Sequence, residues 1–162
     1  MVDTKMMGEF FPFSEKYPDI AIRETKVITV SSDNSKIPAG KYYLAESFCG
    51  DKSCDCRKVM LTVITVKKPY KTLATIGYGW ESVRFYEKWM YGDQEMAKLM
   101  AGAYLEPGGI QSKYSQHFLE IIKMLIDEKY QNAIIEHYEI WKNGVMPIGR
   151  NEPCFCWSGK KY

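Results

Sequence analysis

The chain has little of what most catalytic or targeting readings need. It has two histidines in 162 residues, which leaves little material for imidazole acid–base chemistry. No Gly-x-Ser-x-Gly elbow, His-Glu-x-x-His helix or Cys-x-x-Cys redox pair occurs. No stretch reaches the roughly 18 apolar residues of a membrane span. The first ten residues, Met1 to Phe10, lack the charged region, apolar run and small-residue cleavage site of a secretory signal. Charge of one sign is missing as well: 22 basic and 20 acidic residues leave +2, too little to steer the chain toward nucleic acid or an anionic membrane. These absences point to a cytoplasmic chain, without a nucleic-acid partner and more readily a binding protein than an enzyme.

What is present is cysteine in an uneven distribution. Three of the five cysteines fall in Cys49-Gly-Asp-Lys-Ser-Cys54-Asp-Cys56, between two stretches that read as strands. An odd count in a reducing compartment argues against a complete disulfide framework and for metal binding. Zinc takes sulfur at about 2.3 Å and prefers four ligands in a tetrahedron, so Cys49, Cys54 and Cys56 supply three corners. His137 is one candidate for the fourth, although a histidine on the apolar side of a helix is more often a satisfied core residue. The second Cys-x-Cys, Cys154 and Cys156, offers another route: with Cys54 and Cys56 it would form one composite site. His117 beside Phe118 reads as a surface or boundary residue.

Composition and length predict one α+β domain over residues 1–146 and a separate tail over 147–162. Alternation and β-branched content predict about four antiparallel strands: Ile20 to Val30, Lys41 to Phe48, Lys58 to Val66 and Lys71 to Tyr78. Residues 1–18, with Phe10, Phe11 and Phe13 among prolines, read as an irregular aromatic arm. Two or three helices follow. Glu81 to Leu99 carries mixed helical signals, and Glu106-Pro-Gly-Gly109 is a break. A helix is expected from Ser112 and another from Asp127, stopped by Asn143-Gly144 and Pro147. Gly77-Tyr-Gly-Trp80 reads as a tight exit from the fourth strand. The dense set Trp80, Phe85, Tyr86, Trp89 and Met90 reads as core packing, or as a protein-binding groove if partly exposed.

The tail reads Gly149-Arg-Asn-Glu-Pro-Cys-Phe-Cys-Trp-Ser-Gly-Lys-Lys-Tyr162. It resembles the SEC-C motif, a short zinc-binding element at the C-termini of many bacterial proteins, among them the SecA translocase motor. Gly149, Arg150, Asn151, Pro153, Cys154, Cys156, Ser158, Gly159, Lys160, Lys161 and Tyr162 match its pattern. Trp157 stands where the motif has glycine, and Glu152 where it has Asp. The body, with its cysteine trio, is similar to uncharacterised SEC-C proteins. The resemblance implies zinc at Cys154 and Cys156 and a protein partner, with Lys160 and Lys161 as donors to acidic groups. It also implies a second ligand pair beyond Tyr162. Its absence here means a shortened chain, ligands from another molecule or a decayed motif, and shortening is preferred. The alternative to an adaptor is a zinc enzyme with an open three-cysteine site and Asp51, Asp55 or Glu46 as the ionisable neighbour.

Overall fold

A computed structural model describes residues 9–31 and 36–144. Cys154, Cys156 and the whole expected tail lie outside the described residues. The elements run β1 (Phe10–Pro12), α1 (Phe13–Lys16), α2 (Pro18–Glu24), β2 (Lys26–Val30), β3 (Gly40–Cys49), β4 (Lys58–Thr65) and β5 (Thr72–Gly79). Then come α3 (Val83–Trp89), α4 (Gln94–Met100), β6 (Gly102–Leu105), α5 (Ser115–Leu125) and α6 (Glu128–Asn143). The fold is α+β around an antiparallel sheet in the order β1-β3-β4-β5-β6. Strand β2 lies on the same edge of β3 as β1. β1 pairs Phe10 with Cys49, whereas β2 pairs Lys26 with Leu44, so the two short strands lie end to end along β3.

Three of the four expected strands are present as read; the first is not. Ile20 to Val30 divides at Thr25, because Pro18 at the first helical position starts α2 and the backbone of Thr25 closes it on Ala21. Ile20 then faces the core while Ile22 stands 81% exposed, a helical rather than an alternating pattern. Strands β1 and β6 add to the expected set, and the described residues hold six helices rather than two or three.

Register decides which side chains share a face. Leu44 opposes Val63, Glu46 opposes Leu61, and these in turn oppose Ala74 and Ile76. All are buried, and all but Glu46 join Phe48 and Val59 in one cluster that also holds Phe118, Leu119 and Ile122 of α5 and Tyr130, Ile134, Tyr138 and Trp141 of α6. The helical residues recur at three- and four-residue spacing, as one buried stripe requires. Tyr42 meets Phe118 edge-on at 5.0 Å, and Phe48 lies 6.1 Å from Tyr138 and 6.2 Å from Trp141. Each such side chain taken from water stabilises the fold by about 1.5–3 kcal/mol.

A smaller cluster of Tyr86, Ala97, Met100 and Tyr104 joins α3, α4 and β6. It needs bare backbone beneath it. A Cβ on Gly77 would sit 2.4 Å from the Tyr104 ring, and one on Gly79 would sit 2.2 Å from the Met100 carbonyl. Thus Gly77-Tyr-Gly79 is not an exit from the strand but its continuation, with glycines where two tyrosines press on it. No helix among the described residues is long and apolar enough to cross a membrane.

Candidate metal centre

The cysteine loop begins where β3 ends. Gly50 follows Cys49 and donates its N–H to the Glu9 carbonyl at 2.8 Å, while the Phe11 ring occupies the space a Cβ would need. The Asp51 carboxylate accepts from the Ser53 N–H at 2.9 Å and the Ser53 hydroxyl at 2.7 Å, and the Cys54 N–H donates to the Asp51 carbonyl at 3.1 Å. This is the local turn that Asp favours, and it folds Cys54 back toward Cys49. Arg57 then takes a left-handed conformation, φ 47°, unusual for a residue with a Cβ. Its guanidinium holds the bend through two bonds to Asp55, at 3.0 and 2.9 Å, and one to Glu81 at 3.1 Å, and it lies 4.7 Å over the Phe85 ring.

Helix α6 clamps the loop from the other side. The Trp141 indole N–H donates to the Cys49 carbonyl at 2.9 Å, and the Lys142 ammonium donates to the Asp51 carbonyl at 2.6 Å. The Tyr138 hydroxyl reaches Asp55 at 3.4 Å, and the Tyr86 hydroxyl of α3 donates to the Arg57 carbonyl at 2.6 Å. Three separate elements thus fix one eight-residue turn.

The result is that the Cys49, Cys54 and Cys56 sulfurs all lie within 4.8 Å of one another. Sulfurs on a tetrahedral zinc with 2.3 Å bonds stand about 3.8 Å apart, so closing on an ion needs side-chain shifts of about 1 Å at most. Cys49 and Cys56 are buried, Cys54 is partly exposed, and all three are free thiols. Hydrogen bonds from Cys54 and then Cys56 hold the Cys49 thiol well below its ordinary range, while bonding to Cys49 pushes both partners up, with burial adding to the rise. A metal held there would take the place of those protons, with Cys49, Cys54 and Cys56 binding it as thiolates. Cys54 also lines an open cleft of about 340 Å³ together with Asp51, Lys88, Trp89 and Tyr91.

His137 is held elsewhere. Its Nδ1 contacts the Glu46 carboxylate at 2.9 Å, its Nε2 bonds to Glu24, and its ring stacks on Phe13 at 4.8 Å. Both nitrogens face carboxylates, so the described position is that of a satisfied core histidine. Glu46 is occupied by the same contact and Asp55 by Arg57; of the three neighbours named from the sequence, Asp51 alone lines the cleft. His117 is half-buried, as expected of a boundary residue.

Burial alone would lower the His137 pKa, but the Glu46 hydrogen bond and charge, followed by those of Glu24, reverse this and raise it to about 9. A raised pKa contributes stability in full below the unfolded value of about 6.5 and loses it as pH rises through about 9. The expected loss is on the order of 3 kcal/mol, mostly through Glu46, since Glu24 is half exposed and solvent screens it. Urea midpoints between pH 6.5 and 10 read this directly. A His137→Gln variant that keeps the same pH slope would assign the loss to another group.

Sequence reasoning found the thiols but missed their surroundings, namely Arg57, Tyr86, Tyr138, Trp141 and Lys142. It also missed a second buried polar group: the Lys58 ammonium bonds to the Tyr104 hydroxyl and lies 3.5 Å from Glu106, with Lys58 and Glu106 both buried. For the His137–Glu46 pair a signal did exist, since Glu46 falls between Leu44 and Phe48 on the inward side of β3. The expected aromatic set divides in the same way: Tyr86 is core, Phe85 and Met90 pack around it, and Trp89 also borders the cleft. No family model, curated protein or solved structure matches this chain.

Proposed function

We propose that this chain is a zinc-binding adaptor that holds the ion at Cys49, Cys54 and Cys56 and uses its tail to engage a protein partner. The convergence of three sulfurs within 4.8 Å carries the metal part of this reading. Thiolate-rich sets favour zinc, copper(I) or iron–sulfur chemistry over hard cations, and a clamped turn with two of its three cysteines buried suits a structural zinc best. Free thiols fit a reducing compartment such as the cytoplasm. The adaptor role rests on the SEC-C resemblance of residues 149–162, with Lys160 and Lys161 facing acidic groups of the partner.

Native mass spectrometry of the full chain tests the first step. One zinc per chain, lost in a Cys49→Ser/Cys54→Ser variant, is the expected result; a metal-free chain after growth and purification with zinc overturns the reading. Partner capture that survives chelation would leave the adaptor role but remove the metal's part in it.

A second reading has one observation in its favour. The cleft beside Cys54 gives access to the cluster, and a catalytic zinc keeps one position open for water or substrate. Asp51, on the wall of that cleft, would then act as the acid or base. Asp51→Asn would abolish turnover of a susceptible ester or amide while leaving zinc content unchanged. A fourth protein ligand on the metal excludes this reading.

A further inference from the structure

We infer that Cys54 is a site of reversible oxidation: a peroxide oxidises its sulfur, Cys49 closes a disulfide onto it, and the metal is released; this rests on the zinc reading above. The first support is unequal access. Cys49 and Cys56 are 1% and 2% exposed, whereas Cys54 is partly exposed and lines the open cleft with Asp51, Lys88, Trp89 and Tyr91. Cysteine oxidation follows exposure and thiolate character. Cys54 has the first from the cleft, and it has the second whenever it serves as a metal ligand. Hydrogen peroxide is little larger than water, whose share of liquid volume is about 30 Å³, so a cleft of about 340 Å³ admits it.

The second support is a resolving thiol already in place. The three sulfurs lie within 4.8 Å of one another. A disulfide is about 2.0 Å long, so a sulfur has to move by at most about 2.8 Å, the scale of one χ1 rotation. Cys49 is better placed for this than Cys56. The Cys54 N–H bond to the Asp51 carbonyl at 3.1 Å folds Cys54 back toward Cys49, and the Trp141 indole pins the Cys49 backbone at its carbonyl. A bond from Cys54 to Cys56 would instead close a small ring across Asp55, whose carboxylate Arg57 holds at 3.0 and 2.9 Å.

The Cys54 thiolate attacks one peroxide oxygen; the O–O bond breaks, a sulfenic acid forms and hydroxide leaves. The Cys49 thiolate then attacks the Cys54 sulfur; the S–S bond forms, the S–O bond breaks and a second hydroxide leaves. The two sulfurs give up two electrons, and the peroxide takes both. No electron comes from zinc, which has no redox chemistry. Cys56 is left as one thiolate where three stood, too few for a tetrahedral site, so the metal leaves. The Asp51–Ser53 turn and the β3–β4 pairing keep their own hydrogen bonds, so a thiol reductant restores the site.

The zinc-loaded full chain, treated with a small excess of hydrogen peroxide, gives the test. Intact mass, peptide mapping after alkylation and a chromogenic zinc chelator read it. A Cys49–Cys54 disulfide with loss of one zinc per chain is expected, both reversed by a thiol reductant. Cys49→Ser should stop at the sulfenic acid, which a cyclic diketone probe then labels at Cys54. Zinc that stays bound, with Cys54 unmodified under peroxide that oxidises free cysteine, would overturn the inference and leave the zinc reading standing. A disulfide from Cys54 to Cys56, or zinc loss with Cys49 still open to alkylation, would overturn it too. A chain that holds no zinc before peroxide is added would take down the zinc reading and this inference together.

Discussion

Cys56→Ser should abolish metal retention and remove about 4 kcal/mol of stability under zinc-replete conditions. The magnitude follows from mass action: a ligand that binds only the folded chain stabilises it by RT ln(1 + [L]/Kd), about 4 kcal/mol when free metal exceeds Kd a thousandfold. Cys56 is the decisive choice because it is 2% exposed and sits just before β4, with no freedom to let another donor take its place. Urea denaturation with and without a chelator measures the effect. The parent chain should lose the 4 kcal/mol on chelation, and the variant should lose nothing further. The sheet and α5–α6 core are built from apolar contacts that need no metal, so the variant should retain a cooperative transition. Equal stability of the parent with and without metal would mean that the turn is held by Arg57, Trp141 and Lys142 alone.

Lys58→Met should cost about 3–5 kcal/mol, the usual effect of removing one partner from a buried ion pair. Lys58 is 1% exposed, and its ammonium lies 5.1 Å from the Tyr104 ring centre and 5.7 Å from that of Phe10. Burial, and then Glu106, push the Tyr104 hydroxyl above its ordinary range, so it stays protonated between cation and carboxylate. Without the ammonium, Glu106 would be a buried charge facing that phenol; its Oε2 already lacks a hydrogen bond of its own. Adding Glu106→Gln to Lys58→Met should restore much of the loss, since two neutral side chains carry no desolvated charge. Urea midpoints of the parent, both single variants and the double variant close the cycle. A neutral Lys58→Met would show that Glu106 is neutralised by other means.

The long regular elements were legible because their signals are local. Strand β4 is a run of β-branched and apolar residues, and α6 has Asp127 as its N-cap and Gly144 at its end, both where the sequence puts them. Helix α5 starts three residues later than Ser112 suggests, because the Ser112 side chain accepts from the Tyr114 N–H before the helix begins. Strands β1 and β6 were illegible for the opposite reason. Three and four residues carry no period, and these strands exist only because β3 and β5 offer them a partner. The site divides in the same way. Spacing within eight residues disclosed the thiols, but the Trp141 bond to the Cys49 carbonyl spans 92 positions. Likewise no local pattern tells that His137 would meet Glu46, 91 positions away.

The two ends of the described chain meet at one corner. Glu9 is bonded to Gly50, and Lys142 to Asp51, the very next residue. Force applied between handles fused to the two ends would therefore not stretch the sheet first. It would load the turn between Cys49 and Cys56, as a pull on both straps loads a buckle. The first bonds to carry that load are the Glu9–Gly50 and Lys142–Asp51 hydrogen bonds, which lie at the rim of the cysteine turn. Resistance to a pull is thus set at this corner, by a few hydrogen bonds loaded together, and not by the apolar core that sets the resting stability.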